Sequence, residues 1–174
     1  NKAAGEIAER IGRVDSAAAA AMWTGTFHAF GLDILRRFYT ELELPANPRM
    51  LDRTEAVELL EHEFPRLNLT HYRNIYDPTD TIADILSAIS RAKDEVVDAE
   101  AYERLAEGMV AAASSIDECV AAEKVLEVAK AYKAYERLKR QAQAVDFGDL
   151  VCLPVLLLES NDAVRSILRS TYDH

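Results

Sequence analysis

A capping box opens what should be one of the longest helices of this chain. In Ser115-Ile116-Asp117-Glu118 the hydroxyl of the first residue and the carboxylate of the fourth can each accept the other's free backbone N–H, which opens a helix. Apolar residues then recur at helical spacing to about Gln143, with Val125, Val128, Tyr132 and Tyr135 on one side. Similar signals flank this segment. Asp52 is placed to cap a helix over Arg53–Phe64 that Pro65 closes, and Thr79 to cap one over Ile82, Ile85, Leu86 and Ile89. Ala99 to Ala113 makes a further helix, and Asp146 and Asn161 are placed to cap the last two.

The first forty residues are more mixed. Ile7, Ile11 and Val14 predict an amphipathic helix, with Glu6, Glu9, Arg10 and Arg13 elsewhere on the wheel. The run Ala17 to Ala21 reads either way. Met22-Trp23-Thr24 before Gly25 gives the one strand signal, because these residues favour extended backbone. From Thr26 the pattern is helical again, with Phe27, Phe30, Ile34, Leu35 and Phe38 on one face, until Pro45 and Pro48 break it. The expected fold is therefore mainly α, a helical bundle with one minor strand.

At 174 residues with 49% apolar side chains, the chain can bury one continuous core. Its longest apolar stretch, Val151–Leu158, is too short to cross a bilayer, and no basic-plus-apolar leader opens it. We expect a soluble cytoplasmic protein with no membrane partner. Cys119 and Cys152 stand at no metal-ligand interval and are expected to be small buried hydrophobes. The net charge is −10, of which residues 41–100 carry −8. Nucleic-acid contact would therefore have to come from small patches rather than from a basic face.

Nucleotide hydrolysis requires a glycine loop followed by Lys and a hydroxyl residue, so that backbone N–H groups and an ammonium surround the phosphates. No Gly here precedes a Lys. Asp94-Glu95 and Asp117-Glu118 do not follow the buried strand that a metal-binding acidic pair needs. His28, His62, His71 and His174 form no ligand pair at helical spacing, and no nucleophile is paired with a base. No catalytic residue, metal ligand or cofactor site is expected in these residues.

Three segments, in order, resemble the UvrD/Rep/PcrA group of superfamily-one DNA helicases. Asn1-Lys2-Ala3-Ala4 with Glu6-Ile7 and Glu9-Arg10-Ile11 looks like the later part of motif Ia. Gly25-Thr26-Phe27-His28-Ala29-Phe30-Gly31 is similar to motif Ib. Tyr132, Tyr135 and Leu138, then Val145-Asp146-Phe147-Gly148-Asp149-Leu150, resemble the stretch shortly before the acidic metal-binding motif. The resemblance implies an internal piece of an ATP-dependent DNA helicase, lying between the two ATPase motifs. This agrees with a chain that opens at Asn1 without Met and stops at His174 in amphipathic sequence. It also implies a small remnant of a RecA-like α/β motor domain at 1–40, a helical insertion subdomain at 41–145 and return helices at 146–174. ATP and Mg would belong to the parent. Single-stranded and duplex DNA and the rest of the helicase would be the partners, with DNA repair as a setting.

The candidate DNA contacts are Asn1, Lys2, Thr26, Phe27, His28, Lys130, Lys133, Arg137 and Arg140. A strand ending at Gly25 and a helix opening at Thr26 would aim N–H groups, a hydroxyl and an imidazole at a phosphate; otherwise Thr26 is simply a cap. Lys130, Lys133, Arg137 and Arg140 form one stripe that either tracks a phosphate backbone or is a solvated face paired by Glu127 and Glu136. Asp146 and Asp149 read as helix-start residues. Two other functions fit the sequence: a helical protein-interaction module, and the helicase part of a helicase-nuclease.

Overall fold

A computed structural model describes residues 2–73 and 78–172. Among these residues the chain is mainly helical, with a single two-stranded parallel sheet. The helices are α1 (Lys2–Val14), α2 (Ser16–Ala21), α3 (Phe27–Arg37), α4 (Arg53–Glu61), α5 (Thr79–Asp94), α6 (Ala99–Ala112), α7 (Ile116–Gln141), α8 (Asp149–Ser160) and α9 (Asp162–Thr171). None is long and apolar enough to cross a membrane.

The local signals place most of these starts. Ser115 and Glu118 form the reciprocal box that opens α7, at 26 residues the longest helix described. Asp52 and Glu55 do the same for α4, and Asn161 accepts from the N–H groups of Ala163 and Val164 at the head of α9. Asp98 caps α6 through the N–H of Ala101, a cap the sequence reading did not identify. Other expectations are corrected. Thr79 is the first residue of α5, after Pro78, rather than its cap. α4 ends at Glu61, and Pro65 does not close it but sits in the first turn of a separate 3-10 turn, Phe64–Leu67, where its missing N–H costs nothing. Ser16–Ala21 is helical, which settles the ambiguous alanine run.

The strand expected at Met22–Thr24 is not formed; residues 22–26 are irregular. A strand is completed by a neighbour's hydrogen bonds, and no described strand lies beside it. The two strands lie elsewhere, β1 (Arg49–Met50) and β2 (Ala144–Val145), with Arg49 opposite Ala144 and Met50 opposite Val145. Leu51 N–H donates to the Val145 carbonyl at 2.9 Å, extending the pairing. Residues 52–143 thus form a helical excursion closed at its base, where departing and returning chain lie side by side.

Burial divides the helices into two groups. Leu60, Ile82, Ile85, Ile89, Val128, Tyr132 and Tyr135 form the core of α4, α5 and α7, with Ala99 of α6 against it. Burying a side chain of this size contributes about 1.5–3 kcal/mol, so this cluster is the main stabilising mass. The Tyr132 hydroxyl donates to the Val97 carbonyl at 3.1 Å, so its burial leaves no orphan donor. The buried Glu127 carboxylate accepts N–H groups of Thr70, His71 and Tyr72 and pins that loop to α7, so it does not pair with the basic stripe as expected. The second group packs Ile34 of α3 and Phe38 at its C-cap against Leu157 of α8 and Val164 and Leu168 of α9, with Leu35, Val145 and Leu150 alongside. α1 buries none of its residues, and Ile7 and Val14 are exposed. Cys152 is buried as expected; Cys119 is not.

Candidate nucleic-acid interface

Irregular backbone delivers the chain into α3 at a defined point. The Trp23 ring lies over Gly25, where an added Cβ would meet its Cη2 at 2.4 Å, so any other residue there would displace the indole. Trp23 also meets Phe30 edge to face at 5.0 Å, which ties the approach to the body of α3. Thr26 caps the helix, its Oγ accepting the Ala29 N–H at 3.2 Å. Helix geometry leaves the N–H groups of Phe27 and His28 without intrahelical acceptors, so this end of α3 carries partial positive charge.

Phe27 does not join the apolar face on which the sequence reading placed it. It is 88% exposed, because α8 and α9 pack against the Ile34–Phe38 side of the helix and leave its first turn uncovered. The His28 ring stacks on Phe147, with centroids 3.9 Å apart and 18° between planes. Phe147 itself is 61% exposed. The two aromatics come from segments far apart in sequence, and the junction of α3 with α8 brings them together. Gly31 makes this junction possible: a Cβ there would lie 1.6 Å from the Leu150 carbonyl oxygen. Thr26, Phe27, His28 and Phe147 therefore share one patch. In the sequence Phe147 stands within the third resembling segment, Val145–Leu150, where no local signal marks it as a contact.

The turn that carries Phe147 is held from both sides. Asp146 N–H donates to Asp149 Oδ2 at 2.8 Å and Asp149 N–H to Asp146 Oδ1 at 3.0 Å, so both act at the helix start as expected, although the N-cap of α8 is Gly148 and not Asp146. They also meet two buried ammonium groups. Lys93 Nζ lies 2.6 Å from Asp149 Oδ1 and 2.7 Å from Asp146 Oδ2; Lys139 Nζ lies 2.5 Å from Asp149 Oδ2 and 3.1 Å from Asp146 Oδ2. Glu136 Oε1 is 2.8 and 3.0 Å from the two ammoniums, near enough to pair by charge although neither is aligned to hydrogen-bond it. Both lysines are 2% exposed and lie near the faces of Tyr132 and Tyr135. Burial alone would lower the pKa of Lys93, but Asp149, Glu136 and Asp146 more than offset it and hold the ammonium well above its ordinary value. Burial alone would raise that of Asp146, and Lys139 and Lys93 outweigh it and hold the carboxyl far below the ordinary range. Glu136, Asp146 and Asp149 lie close enough together to suggest a cation site, yet the two lysines already place fixed positive charge there.

The remaining expected contacts are dispersed. Lys2 is exposed in the first turn of α1, and Asn1 lies outside the described residues. Lys130, Lys133, Arg137 and Arg140 are all exposed on α7. The pairing of this stripe comes from outside α7: Lys133 meets Glu103 of α6 at 2.7 Å, and Arg137 meets Glu63, just before the 3-10 turn, at 2.7 Å. The hydrogen bonds of Arg137 and Arg66 hold Glu63 below its ordinary pKa. No ion pair is seen for Lys130 or Arg140 among the described residues. The stripe stands on the α4–α7 group and the Thr26 patch on the α3–α8–α9 group. A cavity of about 780 Å³ borders the Phe147 turn, lined by Arg53, Ser87 and Arg91 among others.

Comparison with known proteins gives this architecture a class. The family model described as the UvrD/REP helicase N-terminal domain matches residues 1–174, and the chain belongs to that family. Among individual relatives it is 32% identical to ATP-dependent DNA helicase Rep of Escherichia coli over 166 residues, which cover 95% of this chain and 22% of Rep. It is 31% identical to ATP-dependent DNA helicase PcrA of Leuconostoc citreum over 175 residues, covering 100% of this chain and 21% of PcrA. Against ATP-dependent DNA helicase UvrD1 of Mycobacterium tuberculosis the identity is 29%, covering 100% and 20%. The chain thus spans about a fifth of the length of these relatives.

Proposed function

We propose that this chain is the part of an ATP-dependent DNA helicase that contacts DNA between the two ATPase motifs, in a protein that translocates on single strands and unwinds duplex. The observation that carries this reading is the uncovered start of α3, where Thr26 and His28 stand beside two exposed aromatic rings, Phe27 and Phe147. N–H groups, a hydroxyl and an imidazole suit a phosphate. An exposed aromatic face suits an unpaired base. Lys2 and the stripe Lys130, Lys133, Arg137 and Arg140 would add backbone contacts, weakened at Lys133 and Arg137 by their carboxylate partners.

Division into a motor-domain remnant (1–40), a helical insertion (41–145) and return helices (146–174) is supported by the two packing groups and by the β1–β2 clasp. The residues present do not fit the phosphates of ATP, since no Gly precedes a Lys. Nucleotide and Mg²⁺ would be held elsewhere in the complete polypeptide. A helical interaction module is the rival reading, favoured by exposed Leu105, Met109 and Val110 on α6.

The test is a Thr26→Ala, His28→Ala double replacement in the complete polypeptide, with single-stranded DNA affinity and DNA-stimulated ATP hydrolysis measured at low and moderate salt. Both should fall, affinity by about tenfold, with nucleotide binding unchanged and the salt slope shallower, because phosphate contacts release counterions. The isolated chain of 174 residues should bind DNA weakly and hydrolyse no ATP. Unchanged affinity and turnover at both salts would return Thr26 to a capping role and favour the interaction module.

A further inference from the structure

We propose that Lys93 and Lys139 are positioning residues for DNA binding: from the ends of α5 and α7 they fix the Asp146–Asp149 turn, and with it the Phe147 ring beside His28. The proposal rests on the interface reading above. Its basis is that this turn carries more restraint than a helix start needs. The reciprocal hydrogen bonds already satisfy the N–H groups of Asp146 and Asp149 themselves. Two ammoniums are added from helices whose apolar residues belong to the other packing group, and each reaches both aspartates. The Lys93 stem also fills the space under the turn, since a Cβ on Gly148 would lie 2.8 Å from Lys93 Cδ. Phe147, between the two aspartates, is thereby fixed in its backbone while its ring stays outside.

Buried ion pairs stabilise little against an apolar alternative, because desolvation cancels most of the Coulomb gain. Five charged groups in one cluster, with both lysines buried, are better explained by the geometry they specify. They tie the helical excursion to the one segment of the α8 start that faces outward. A shift of α5 or α7 would therefore move the aromatic that meets a base.

The test is a double-replacement cycle in the complete polypeptide. Wild type, Phe147→Ala, Lys93→Met and the double variant are titrated with a short single strand of thymidines containing one 2-aminopurine, reading anisotropy for affinity and 2-aminopurine quenching at saturation for stacking. Phe147→Ala should weaken binding by about tenfold and abolish the quenching, as loss of a base–aromatic stack does. Lys93→Met should weaken binding several-fold, lose the quenching even at saturation, and add nothing in the Phe147→Ala background. Asp146→Asn and Lys139→Gln enter the same cycle, so the result stands where Lys93→Met fails to fold. Equal losses in both backgrounds, or full quenching at saturation in the folded lysine variants, overturn the proposal and leave a purely structural cluster. No effect of Phe147→Ala itself would instead overturn the interface reading, and the positioning role with it.

Discussion

Two glycines in two helices should respond to alanine with opposite signs. Gly108 lies exposed within α6, and an added Cβ there meets nothing within 4 Å. Gly108→Ala should therefore show only the intrinsic preference, a gain of about 1 kcal/mol. Gly31 in α3 has the same intrinsic gain available, but its Cβ would lie 1.6 Å from the Leu150 carbonyl oxygen, where ordinary contact begins at 3.4 Å. Relief requires α3 and α8 to separate by roughly the difference, 3.4 − 1.6 = 1.8 Å. A gap of about 1 Å already forfeits up to half of a dispersion contact, and Ile34, Leu35, Leu150 and Leu157, all within 5% of full burial, depend on this junction. A loss of about 3 kcal/mol from overpacking and parted contacts, less the propensity gain of about 1 kcal/mol, leaves about 2 kcal/mol of destabilisation. For a chain of this size that lowers the melting temperature by roughly 4–8 °C, against a rise of roughly 2–4 °C for Gly108→Ala. Thermal unfolding followed by circular dichroism measures both. A Gly31→Ala protein that melts at or above the wild type would refute the close crossing of α3 on α8, and with it the geometry that sets His28 on Phe147.

Stability should be flat near neutrality and fall at both extremes of pH, as denaturant titrations across the range will show. The lowered pKa of Asp146 means the unfolded chain takes up its proton first, so that contribution is present above about pH 4 and lost on acidification. The raised pKa of Lys93 means the folded chain keeps its proton longer, so its contribution is present below about pH 10.4 and lost as pH rises beyond it. Thiol chemistry should separate the two cysteines: burial pushes Cys152 up to about 11, whereas Cys119 is exposed. An aromatic disulfide reagent at mildly alkaline pH should label Cys119 rapidly and Cys152 only on unfolding; rapid labelling of both would show that the Cys152 side of α8 is open.

What could be read in the sequence was what is decided within a turn of helix. The Ser115–Glu118 box and the Asp52 and Asn161 caps involve partners two or three residues away, and each appears in the structure. Strand formation is not local in this sense. Met22-Trp23-Thr24 has strand-like composition and no strand, while Arg49–Met50 and Ala144–Val145, with no such signal, pair because the helical excursion returns there. Phe27 shows the same limit on a helix. Its spacing placed it on the apolar face, but which turns of that face are covered depends on where α8 and α9 lie.

Charge was the least legible property, and for a physical reason. Lysine in an amphipathic helix reads as solvated surface, yet Lys93 and Lys139 are buried because Asp146, Asp149 and Glu136 converge on them from other parts of the chain. The visible basic stripe on α7 was in part neutralised by Glu103 and Glu63, whose positions follow from how α6 and the 3-10 turn pack against it. Periodicity assigns a charge to a face, whereas tertiary packing decides whether that face keeps its field. The polar residues with most consequence for the shape of the proposed contact patch are accordingly those beneath it. The exposed patch is small, built from a helix start and two rings, and its shape depends on a glycine crossing at one end and a buried five-charge cluster at the other.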